Sequence, residues 1–187
     1  MCKSFHFFIG LVLSTLLLTS CKKDVLPKPS SQLRLEYPIA KYVVYKSHCP
    51  FAININSNAV IKEKTDCGFT ITYPKMNATM YLTYKPVNGN IDKLLRDAQK
   101  LTYEHVIKAD EILEQPYINS KKKVYGMFYS VDGNAATNSQ FYATDSTKHF
   151  LTGSLYFYAK PNYDSILPAA DYIKNDMQNL MESLKWD

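Results

Sequence analysis

Apolar and polar residues alternate with a period of two in short runs over the first half of the chain. These runs predict strands at 33–37, 42–46, 51–55, 60–64 and 69–73, with turn residues such as Asn54-x-Asn56-Ser57-Asn58 and Thr65-Asp66-Cys67-Gly68 between them. Met80, Leu82 and Tyr84 alternate with Tyr81, Thr83 and Lys85, which gives a strand with one apolar face that Pro86-Val87-Asn88-Gly89-Asn90 breaks. The period then changes. Ile91, Leu94, Leu95, Ala98, Leu101 and Val106 form one stripe, while Lys93, Asp97, Lys100, Glu104 and Lys108 face away, so the spacing predicts a helix over 91–109 with Asn90 at its N-cap. His105 sits at the edge of the stripe and reads as a structural histidine before a catalytic one.

Strands are predicted again at 123–131, 140–144 and 149–159. In the last of these Leu151, Gly153, Leu155 and Phe157 share a face, and Phe150, Thr152, Ser154, Tyr156 and Tyr158 lie opposite. A strand apolar on both faces is covered on both, or one face meets a partner. Leu167, Ala170, Ile173, Met177, Leu180 and Leu184 then predict a helix from about Asp164-Ser165, with Pro168 in its first turn. This order implies one α+β domain, a largely antiparallel sheet flanked by helices. Element order alone resembles the PsbP/Mog1-like αβα sandwich.

The segment before that domain reads as an address. Lys3 precedes the uncharged, mostly apolar run Phe7–Leu18, which as a helix would span about 18 Å, too short for a bilayer core of about 30 Å. It ends in Leu18-Thr19-Ser20-Cys21, which resembles the lipobox of bacterial lipoproteins. The expected organisation is a signal peptide at 1–20, an acylated Cys21 opening a Lys/Pro/Ser-rich tether at 21–32, and a domain at 33–187. An ordinary signal peptide with a chance cysteine is the alternative. Export to an oxidising compartment makes the remaining pair, Cys49 and Cys67, read as a disulfide closing a loop of about 17 residues. Two free buried thiols are the alternative. A metal site next to His48 would need more ligands than the spacing supplies.

Charge narrows the function classes. The net charge is +5, but only two of the 22 basic residues are arginine, and the lysines are scattered apart from Lys121–Lys123. Arginine is the preferred reader of phosphates and base edges, so no nucleic-acid partner is expected. No nucleophile elbow, zinc-protease helix, phosphate loop or dinucleotide fingerprint is present, and no catalytic residue, cofactor or metal is expected. Asp92, Asp97, Glu104, Asp110, Glu111 and Glu114 read as a solvated face. With 15 Tyr against one Trp, aromatic faces are the better candidates for binding. Tyr125, Tyr129, Tyr142, Tyr156 and Tyr158 are candidate partner contacts, each weighed against ordinary packing. The small polar stretch Asp132–Gln140 reads as a long hairpin loop, a mobile connector or a binding loop, and adds Asp132 and Asn134.

Several longer runs carry a family resemblance: Tyr81-Leu-Thr-Tyr-Lys-Pro-Val87, Leu94–Asp110, Lys123–Tyr129, Ser146–Asn162, Asp164–Tyr172 and Leu184-Lys-Trp186. Together with Cys21 they resemble the GldD-type gliding-motility lipoproteins of the Bacteroidetes. The resemblance implies a non-enzymatic envelope component required for gliding and for the linked type IX secretion machinery. It also implies an integral membrane Gld partner and anchorage through the acylated Cys21. Two lysines and one Asp follow Cys21, unlike the acidic cluster that resembles a surface-export tag, which favours a periplasm-facing protein. The alternative function is a periplasmic binder of small ligands or cell-wall fragments, or a cryptic hydrolase.

Overall fold

The computed structural model describes residues 36–104, 109–158 and 163–187. The leader, Cys21, the tether, residues 33–35 and His105 lie outside the described residues. The elements are β1 (Tyr42–Lys46), β2 (Phe51–Asn56), β3 (Val60–Glu63), β4 (Gly68–Tyr73), a one-turn 3-10 helix (Pro74–Met76) and β5 (Ala78–Pro86). They continue with α1 (Ile91–Tyr103), β6 (Ala109–Asn119), β7 (Val124–Gly133), β8 (Thr137–Thr144), β9 (His149–Phe157), α2 (Tyr163–Ser183) and β10 (Lys185–Trp186).

Seven strands form one sheet in the order β3-β4-β5-β9-β8-β7-β6, and three form a second in the order β1-β2-β10. Every pairing is antiparallel. The alternation in β9 explains the layers. Leu151 and Leu155 are fully buried on one face, in a core shared with Ile71, Met80 and Phe141 of the large sheet, Phe51 and Ile53 of the small sheet, and Ile173, Met177 and Leu180 of α2. Phe150, one residue from Leu151, points the other way into a smaller cluster with Val87 and Leu94 of the α1 side. The large sheet therefore has α2 and the small sheet over one face and α1 over part of the other. Burying a Leu or Phe is worth roughly 1.5–3 kcal/mol, so the first face supplies most of the stability.

Asp176 locks α2 to both sheets. This buried carboxylate accepts hydrogen bonds from Tyr42 Oη (2.7 Å), Asn56 Nδ2 (2.8 Å) and Tyr73 Oη (2.8 Å). A Cys49–Cys67 disulfide, with Cα atoms 5.8 Å apart, ties the turn before β2 to the turn before β4.

Four details differ from the sequence expectations. Helix α1 stops at Tyr103, and the acidic stretch after it forms the edge strand β6. Its residues are mostly exposed, so β6 lacks the alternation that marks a half-buried strand. The Asn90 side chain does not cap α1; its Oδ1 accepts from the backbone N–H of Asn88 instead. Helix α2 begins at Tyr163, which moves Pro168 past the first turn. Glu36 and Tyr37, the described part of the first predicted strand, are not in a strand.

Candidate functional site

The second face of the large sheet is where the candidate tyrosines collect. Cross-strand register places Tyr81 opposite Ser154 and Thr83 opposite Thr152 between β5 and β9, Tyr142 opposite Thr152 between β8 and β9, and Tyr129 opposite Gln140 between β7 and β8. Side chains alternate along a strand, so these residues share one face with Tyr125 and Tyr156. Helix α1 crosses this face. Leu94 packs on Phe150, Thr102 Oγ1 donates to Gln140 Oε1 at 3.2 Å, and Tyr103 Oη donates to Glu114 on the edge strand β6.

That crossing sorts the candidates. Tyr129 is only 2% exposed, and Tyr142 is half-buried and stacked on Phe150 with ring centroids 5.8 Å apart. Burial raises the phenol pKa of both above its ordinary value. Both residues are packing beneath and beside α1, and Tyr129 is not an available contact. Tyr125 is half-buried on β7, toward the β6 side of the helix. Tyr156 and Tyr158 lie on the opposite side. Tyr156 meets Tyr81 edge-on at 5.7 Å, and the hydroxyls of Tyr81 and Tyr158 are hydrogen-bonded to each other.

These last residues wall a groove of about 540 Å³ between the end of α1 and strands β5 and β9. Tyr81, Tyr156, Tyr158 and Leu101 supply apolar surface, and Thr83, Thr152 and Ser154 supply hydroxyls on its floor. Among the described residues no charged side chain lines it. The Tyr158 hydrogen bond, followed by burial, raises the Tyr81 pKa, and burial raises that of Tyr156, so both phenols stay neutral. Such a surface can stack and hydrogen-bond a ligand. Neither described histidine lines it. His48 Nδ1 is 2.8 Å from Glu63 Oε2, and His149 Nδ1 is 2.9 Å from Tyr84 Oη with the ring stacked on Trp186.

Tyr81, Thr83, Leu101, Thr152 and Ser154 were not singled out from the sequence. Their signal was present in the polar face of 80–85 and in the face of 149–159 that carries Tyr156 and Tyr158, but only register shows that the two faces are continuous.

The Asp132–Gln140 stretch is not a long loop. β7 runs to Gly133 and β8 resumes at Thr137, and residues 137–140 are buried. Their polar groups satisfy the backbone where β8 shifts register against β9: Thr137 Oγ1 donates to Leu155 O at 2.7 Å and Asn138 Nδ2 to Val131 O at 3.4 Å. Small polar residues here reflect bulge chemistry, not solvent. Asp132 and Asn134 remain exposed at that turn.

Two other places gather polar or ligand atoms. A cavity of about 260 Å³ is lined by Tyr73, Tyr172 and Met76, but the tyrosine hydroxyls there are spent on Asp176 and on Pro38 O. His48, Cys49 and Cys67 bring ligand atoms within 4.8 Å of one another. The two sulfurs are bonded to each other, so they offer no thiolate to a metal.

No described helix is long and apolar enough to cross a membrane. Among curated proteins none matches the chain. A model of the gliding motility lipoprotein GldD matches residues 22–186, and the chain belongs to that family of motility lipoproteins.

Proposed function

We propose that the protein is a non-catalytic envelope component, moored through an acylated Cys21 and facing the periplasm. It holds a neighbouring component of the gliding and type IX secretion machinery, including an integral membrane Gld protein. Membership of a lipoprotein family named for gliding motility supports the setting. The observation that carries the binding role is the open, aromatic groove walled by Tyr81, Tyr156 and Tyr158 beside α1. Tyrosines suit interface centres because they bury large area at low entropic cost. The helix–sheet–helix layering supports the PsbP/Mog1-like comparison, with the small sheet as an addition beside α2.

The test joins anchor to groove. Cys21→Ser is expected to abolish acyl labelling and to impair spreading. Tyr156→Ala with Tyr158→Ala is expected to keep the fold and the acyl label, yet lose the envelope protein crosslinked to the native chain. A Cys21→Ser strain that glides normally sinks the mooring, and an unchanged crosslink in the double variant sinks the groove.

A second reading is a periplasmic small-ligand or cell-wall-fragment binder using the same groove, favoured by its concavity and its floor of hydroxyls. A cryptic hydrolase would also need a base beside a nucleophile, and the described residues lining the groove include neither His nor carboxylate. Turnover of a cell-wall fragment by the purified protein would nevertheless overturn the non-catalytic reading.

A further inference from the structure

Among the described strands β1 is one of the two outer strands of the small sheet, and it is apolar where the other outer strands are guarded. Val43 is 51% exposed and Val44 77%, with Ile39 just before them at 88%. By contrast β6 carries Pro116 and exposed Glu111 and Glu114, β3 is a four-residue strand with exposed Lys62 and Glu63, and β10 has two residues. Proline, charge and shortness are the usual protections of a sheet edge, and β1 has none of them between Tyr42 and Tyr45.

The hydrogen-bond phase of β1 is fixed on its inner side. Lys41 O accepts from Ser57 N at 2.8 Å, and Ser47 N donates to Phe51 O at 3.3 Å. With the register Val43↔Ile55 and Tyr45↔Ile53, the odd-numbered residues address β2. Tyr42, Val44 and Lys46 therefore turn their N–H and C=O groups to the edge that no described strand covers.

We propose that two copies of the chain pair antiparallel through β1, centred on Val44. In this register Val44 faces Val44 of the second copy, and each Tyr42 faces Lys46 of the other. All three outward-facing residues then exchange both main-chain bonds. A two-residue slip leaves one of them without a strand partner. A one-residue slip puts the hydrogen-bonding groups out of phase and sets Lys41 against Lys46, since Lys41-Tyr-Val-Val-Tyr-Lys46 reads the same in both directions. The centred register avoids that repulsion and sets Val43 against Tyr45. Tyr45 lies on the inner side, its ring 6.4 Å from Phe69, so the apolar inner face continues across the pair. A single strand pair is small beside a standard interface of about 1,600 Å², so the association is weak in dilute solution.

The test uses the full chain in its native membrane. Val44→Cys is expected to give a self-crosslinked dimer with a short thiol-reactive linker. Lys46→Cys is expected not to, because its two copies would stand about 13 Å apart along the strands. Co-purification of two differently tagged copies should be lost on Val44→Lys, which sets like charges face to face at a mostly exposed position and leaves the circular dichroism unchanged. Equal crosslinking at 44 and 46, a product at 44 with a different protein in place of the self-dimer, or folded Val44→Lys copies that still co-purify would each overturn the pairing.

Discussion

Tyr73 Oη donates to Asp176 Oδ2 at 2.8 Å, a bond that joins the large sheet to helix α2. Tyr42 and Asn56 of the small sheet reach the same carboxylate, so one buried acid gathers three layers of chain. Burial, then Asp176, pushes the pKa of both tyrosines well above the ordinary phenol value, which keeps them donors. Asp176→Ala removes the acceptor of two buried donors, on Asn56 and Tyr73, and of the part-exposed Tyr42 hydroxyl, and should lower stability by about 2–4 kcal/mol, with Tyr73→Phe costing about 1 kcal/mol. Urea unfolding measures both, and equal effects of the two would contradict the shared-acceptor account.

The Cys49–Cys67 bridge makes a second prediction. It staples the small sheet to the large one across a sequence separation of 18, and such a loop is worth about 3 kcal/mol in the chain-entropy account. Cys49→Ala with Cys67→Ala, or reduction of the native chain, should lower Tm by several degrees without shifting the tyrosine groove. A reductant-insensitive Tm would show that the bridge adds nothing.

Close backbone approach gives a third. A Cβ added at Gly126 would stand 2.1 Å from Tyr142 O and 3.1 Å from Ala143 Cα, in the neighbouring strand. At Gly153 the obstacle is the Phe141 ring, 2.3 Å away. Strand backbone yields less readily than a ring, so Gly126→Ala should cost more than Gly153→Ala, each on the order of 1–3 kcal/mol. Denaturant midpoints rank them, and the reverse order would refute the argument.

The fourth concerns pH. Burial works to raise the Asp145 pKa, but backbone N–H groups of His149, Lys148 and Thr147, with the Thr147 hydroxyl, outweigh it and bring it down to about 2. An unfolded aspartate titrates near 3.9. Because the folded pKa is the lower, this turn's contribution is complete above about pH 4 and fades as pH falls toward 2. Asp145→Ala should therefore be less stable than the native chain at neutral pH, and the gap should narrow in acid. A gap independent of pH would rule out the ionic part.

Much of this architecture is legible in the residues. The alternation at 80–85 and 149–158 marks two central strands and both of their faces, and the 3- and 4-residue steps from Leu167 to Leu184 mark α2. The strand β6 was hidden because an exposed edge need not alternate, and its acids continue the pattern of the helix before it. Asp132-Gly133-Asn134 signals a turn, but its shortness is hidden because Thr137–Gln140 look like solvent residues and are instead bonded within a bulge. The groove was half legible: Tyr156 and Tyr158 stand out as aromatics on one face, while Tyr81, Thr83 and Leu101 join them only through register and the crossing of α1.

The short strand β10 pairs Lys185 with Ala52 and Trp186 with Phe51, so β2 gains its second neighbour from the far end of the sequence. Trp186 also meets Phe51 edge-on and donates Nε1–H to Lys123 O. As a ribosome releases this chain, β2 has β1 beside it early but waits for residues 185–186 to be flanked on both sides. Removing residues 185 and 186 would thus leave an early hairpin permanently half-clasped.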